Sequence, residues 1–143
     1  MSSLHLRLIR ALSVLSLLVG LSLATPLAAS AAPRPSLSFC TAVHNIADLK
    51  SATAIKALVG KTSLYAGTIA NLETAQRSAP TTEVRLALEA MRNDLITARA
   101  NQLKASADHN PFSSALYVGK ITYYALKATA SSVVVFSAYR ACN

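Results

Sequence analysis

From Ser36 onward, apolar residues recur three or four positions apart, and that spacing predicts an all-α fold of four helices. Ser36 or Ser38 caps the first helix, whose face is Phe39, Cys40, Val43, Ile46, Ala47, Leu49, Ile55, Leu58 and Val59; Gly60 ends it, and a break near Ser51 is allowed. Thr62 or Ser63 opens a shorter second helix with Tyr65, Ile69, Leu72 and Ala75 on one side, stopped at Ala79-Pro80. In the third, Thr81 or Thr82 is the cap and Glu83 faces the positive end of the helix dipole. Its seam, Val84, Leu88, Met91, Leu95 and Ala98, alternates steps of four and three until Asp108-His109-Asn110-Pro111. The fourth repeats the spacing with Tyr117, Ile121, Tyr124, Ala128, Val135, Ala138 and Cys142. Its Ser131 to Phe136 segment is β-branched, but the helical seam runs through it. Lys120 and Lys127 interrupt that span, so it does not read as a transmembrane segment.

Residues 1–31 follow a different pattern. His5, Arg7 and Arg10, without an acid, precede the uncharged, leucine-rich run Ala11 to Ala24, which is too short to cross a bilayer comfortably. Pro26 then breaks the segment, and Ala29 and Ala31 offer the small side chains that a signal peptidase requires. The expectation is a signal peptide over residues 1–31, an extended leader over 32–35 held open by Pro33 and Pro35, and a helical domain over 36–143. Leu8 and Ile9 separate the two arginines, which favours Sec over twin-arginine export. Phe39 is too bulky for the position before a lipidated cysteine.

Composition narrows the picture. A chain of 143 residues holding 4 glycines and 5 prolines forms one domain and is neither collagen-like nor a turn-rich sandwich. Its 14 lysines and arginines against 6 acids give a formal charge of +8; removing Arg7 and Arg10 with the leader leaves 12 against 6. In an exported chain, the two cysteines have reason to pair. Helix count decides whether they can. An even number of up-and-down helices returns the chain to the end where it began, whereas an odd number separates Cys40 from Cys142 by a helix length, about 35 Å. The expectation is therefore an up-down four-helix bundle closed by Cys40–Cys142, against the alternatives of two packed free thiols or a redox pair lacking Cys-x-x-Cys spacing.

Candidate chemistry is sparse. His44 shares a face with Cys40 and precedes Asp48 by four residues, a spacing that orients an imidazole but equally describes a surface ion pair. Tyr139 falls at the same end of the bundle as His44, so the two could flank haem or an apolar ligand, while His109 falls at the far end and cannot join a metal set with His44. No metal or cofactor is expected. Glu89 between Arg85 and Arg92 reads as helix-surface pairing. The chain has no Gly-x-Ser-x-Gly, P-loop or dinucleotide motif, and enzymatic activity is not expected. Basic residues recur more regularly. Arg85, Arg92 and Arg99 are seven apart on helix three, and Lys120 and Lys127 seven apart on helix four, two cationic rows able to hold an anionic lipid, polymer or acidic protein or simply to face water. Nucleic acid suits the charge but not the exported address, and no basic cluster is interleaved with aromatics.

Phe39-Cys40, the run Ala79-Pro80-Thr81-Thr82-Glu83-Val84 and Cys142 together resemble a group of small exported actinobacterial helical proteins. That resemblance implies a disulfide-closed helical bundle outside the cytoplasm and supplies no site residue; the chain departs from the group in its acid-poor surface. The functional expectation is a non-enzymatic secreted or cell-envelope protein with a binding or structural role. The alternatives are a carrier of haem or another apolar ligand, or a cationic protein on anionic envelope lipid or polymer. N-terminal sequencing of the exported protein should begin within a residue or two of Ala32; a protein outside the cell that still begins at Met1 would contradict the leader.

Overall fold

Four helices begin where a side chain accepts a backbone N–H that the helix itself leaves unpaired, whereas the one that starts at Thr62 follows Lys61 without a side-chain cap, in place of the expected Thr62 or Ser63. Thr81 Oγ1 accepts from Val84 N–H at 3.2 Å and Asn110 Oδ1 from Phe112 N–H at 2.9 Å, with Pro111 fixing the first turn that follows. Ser36 and Ser51 do the same for Phe39 and Ala54. The computed structural model describes residues 32–46 and 49–143. Among them are five α-helices, α1 (Leu37–His44), α2 (Ala52–Gly60), α3 (Thr62–Arg77), α4 (Thr82–Ala107) and α5 (Pro111–Tyr139), followed by a 3₁₀ turn at Arg140–Cys142. The signal-peptide reading, Ala47 and Asp48 lie outside the described residues. No helix among the described residues is long and apolar enough to cross a membrane.

The expected count of four is thus corrected to five, because the first predicted helix is two. Pattern supplies the reason. In one straight helix, Phe39, Val43 and Ile46 would lie about 140° around the axis from Ile55, Leu58 and Val59, so both sets could not face one core. The chain leaves the helix after His44 and restarts at the Ser51 cap, and all six side chains are buried, with Leu49 fully enclosed between them.

Pairwise contacts fix the directions. Glu73 meets Arg92 while Thr62 meets Arg99, so α3 and α4 are antiparallel. Asp94 meets Lys127 while Lys104 lies over Tyr117, so α4 and α5 are antiparallel as well. Ser36 reaches the Ser78 carbonyl and the Asn45 carbonyl receives Asn71, which sets α1 antiparallel to α3. α1 therefore runs against both α3 and α5. α2 runs the same way as α1, with Lys50 just before it over Phe136 and Val59 near its end at Arg99. The two short helices form one leg, so the chain returns to its starting end even with five helices. Cys40 and Cys142 lie there at disulfide distance, with Sγ atoms 2.10 Å and Cα atoms 5.8 Å apart.

The expected α4 seam faces the core throughout: Leu88, Met91, Leu95 and Ala98 are fully enclosed and Val84 is 5% exposed. On α5 the buried line is Ile121, Ala125, Ala128, Ser132 and Val135, with Tyr117 and Tyr124 only half-buried at its edge. Leu72 and Ala75 from α3 complete the core.

A bridge across 102 residues removes about 4–5 kcal/mol of unfolded-state entropy in the loop-closure model. Reduction should accordingly lower the denaturation midpoint, by a few kcal/mol of stability at most, while the helical circular-dichroism signal persists on the α4–α5 core. Loss of helicity on reduction alone would contradict that core's independence.

Candidate functional site

At the end where the chain closes, His44 is the last residue of α1 and Tyr139 the last of α5. The proximity of Cys40 and Cys142 carries these two together, and His44 Nδ1 lies 3.1 Å from Tyr139 Oη. Phe136 meets the Tyr139 ring edge-on at 6.5 Å. The juxtaposition expected of His44 and Tyr139 is present, and it commits one imidazole nitrogen to the phenol. His109 lies in the turn before α5, about 40 Å away along that helix. Among the described residues, no three His, Cys, Asp or Glu side chains cluster closely enough to hold a metal ion.

The basic row on α4 is divided among three tasks. Arg99 points to the corner where α2 ends and α3 begins: its guanidinium donates to the Val59 carbonyl and, at 2.8 Å, to Thr62 Oγ1, and it covers the Tyr65 ring at 5.7 Å. A cation at the last carbonyls of α2 completes groups that the helix leaves open. Burial under this packing pushes the Tyr65 hydroxyl above its ordinary pKa, against the opposing pull of Arg99 and Arg92. Arg92 donates through Nε and Nη2 to Glu73 Oε1, at 3.0 and 2.7 Å, and so ties α4 to α3. Arg85, about two turns nearer the start of α4, is exposed.

Arg85 and Arg92 nonetheless share a site. With Arg77, Gln76 and Glu73 they line an open groove of about 440 Å³ between α3 and α4. Three guanidinium groups face one carboxylate, which leaves the groove cationic. Planar N–H forks suit the paired oxygens of a phosphate. Arg77 is oriented by its own hydrogen bond to Thr74 Oγ1 at 3.3 Å.

The row on α5 lies elsewhere. Lys127 Nζ is 3.2 Å from Asp94 Oδ1, whose side chain is only 8% exposed. That hydrogen bond, with the charge of Asp94 behind it, holds the Lys127 ammonium above its ordinary pKa. Lys120 lies over the Tyr117 ring at 5.7 Å, as does Lys104 at 6.0 Å.

Sequence reading missed Arg77 and Asp94. Arg77 carried a usable signal: as the last residue before a short turn over residues 78–81, it falls at the same end of the α3–α4 pair as Arg85 in the opening turns of α4. Asp94 carried none, since its partner depends on the register between α4 and α5. Compared with protein-family models, curated proteins and solved structures, the chain finds no match.

Proposed function

We propose that this chain is an exported, non-enzymatic protein of the cell envelope that holds a phosphate-bearing anionic component through the groove between α3 and α4. The observation that carries the reading is the convergence of Arg77, Arg85 and Arg92 on one open surface, with Glu73 fixing Arg92 rather than cancelling the site. The 12 basic against 6 acidic residues left after the leader extend the same field outward and speed encounter with an anionic polymer. An exported address supplies such polymers, and the resemblance to small exported helical proteins points to the same compartment. The carrier reading, for haem or an apolar ligand at His44 and Tyr139, has less support because these two side chains are engaged with each other.

Soluble inorganic polyphosphate is the direct probe. Titrated into the full mature chain, it should bind with an affinity that falls as salt rises, and the double variant Arg77→Ala/Arg85→Ala should bind about tenfold more weakly or worse. Both arginines are at the surface, so helicity should be unchanged. Equal affinity in the parent and the double variant would remove the groove as the site.

A further inference from the structure

α5 presents a second apolar seam on the side opposite its buried one. Phe112, Leu116, Tyr123, Leu126 and Val133 follow each other along it, and the positions that complete the same steps of four and three are small, Gly119 and Ala130. Phe112 is 87% exposed and the other four are between 57% and 67% exposed. The strip extends about 32 Å along an unbroken helix, far more apolar surface in one line than scattered surface residues explain.

Charge decides what covers it. α5 contains no acidic residue over its 29 positions. Lys120 and Lys127 follow one edge of the strip, and Lys104 of α4 joins them over Tyr117. No ion pair among the described residues involves Lys104 or Lys120. A second copy without residues 1–31 would bring another body of 12 basic against 6 acidic residues to this edge, and like charges at close range oppose that association. An anionic surface reverses the sign. Beside the strip, a groove of about 500 Å³ is lined by Leu116, Gly119, Tyr123, Tyr124, Asn101 and Lys120, apolar walls with a single ammonium. Ammonium groups over a tyrosine ring at the margin of an apolar strip put positive charge where the phosphates of a lipid interface lie, as in a basic helix lying in that interface.

We propose that the outer face of α5 docks on an anionic lipid surface, with Phe112, Leu116, Tyr123, Leu126 and Val133 entering the headgroup boundary and Lys104 and Lys120 meeting lipid phosphates. The proposal takes from the envelope reading only the compartment, and it uses a face separate from the arginine groove.

The protein has no tryptophan, so one placed on the strip reports its own surroundings. Phe112→Trp and Leu126→Trp should each shift emission to the blue with vesicles of equal parts phosphatidylglycerol and phosphatidylcholine, while Leu86→Trp, an exposed site on α4, should not. Vesicles of phosphatidylcholine alone should give little shift, and added salt should weaken binding. In cosedimentation, Phe112→Ser/Leu126→Ser should lose about tenfold or more of its affinity for the mixed vesicles, with polyphosphate binding and helicity unchanged. Absence of a shift, or an equal shift with neutral vesicles, would overturn the proposal. So would a blue shift without lipid accompanied by a doubled mass in solution, which would assign the strip to a second copy. If Arg77→Ala/Arg85→Ala abolishes vesicle binding while the serine pair does not, the membrane is held by the groove instead. If polyphosphate fails to bind but the tryptophan shifts appear, the groove reading falls and the α5 face stands.

Discussion

The tie between Cys40 and Cys142 is the constraint on which the chain's two ends depend. α1 has eight residues, too few to persist in water on helix propensity alone, and the 3₁₀ turn at the other end is shorter still. Joined, they hold each other. Phe39, fully enclosed next to Cys40, anchors one side in the core, and Val135 on the last turns of α5 anchors the other. The same tie sets His44 against Tyr139 and keeps Ser36 at the Ser78 carbonyl, so that α1 lies along α3 as well as α5. Without the tie, the terminal elements would rely on those few contacts, while the α4–α5 hairpin would retain its own.

Cations in this protein divide into those that assemble the bundle and those left for other partners. Arg99 closes the α2–α3 corner, Arg92 binds Glu73, and Lys127 compensates the nearly buried Asp94. Arg77, Arg85, Lys104 and Lys120 have no carboxylate within ion-pair distance among the described residues. These fall into two places, the α3–α4 groove and the edge of the α5 strip, which differ in character: one lined by charged and amide side chains with guanidinium forks, the other apolar with a basic margin. A phosphate-rich polymer suits the first and a lipid interface the second.

How much of this the sequence carried varies with the range of the interaction. The α4 seam from Val84 to Ala98 and the caps at Thr81 and Ser36 are local patterns, and the structure follows them. The split of the first helix was also written locally, in the 140° or so between its two apolar sets, but continuous spacing disguised it as one element. On α5, Tyr117 and Tyr124 belong to the predicted face yet end half-buried, because Ala125 and Ser132 let α5 approach its neighbours more closely on an adjacent line. What no local pattern contains is register. Arg99 reaching the Val59 carbonyl, or Lys127 reaching Asp94, needs the relative height of two helices, so a regular row of arginines on paper became three different tasks in space.

Disulfide mapping of the protein recovered from outside the cell tests this account at its centre. A non-reduced proteolytic digest should yield one cross-linked species that joins the peptide containing Cys40 to the peptide containing Cys142, with no alkylatable thiol. Two free thiols in that material would contradict it, since α1 would then lack the constraint that places it.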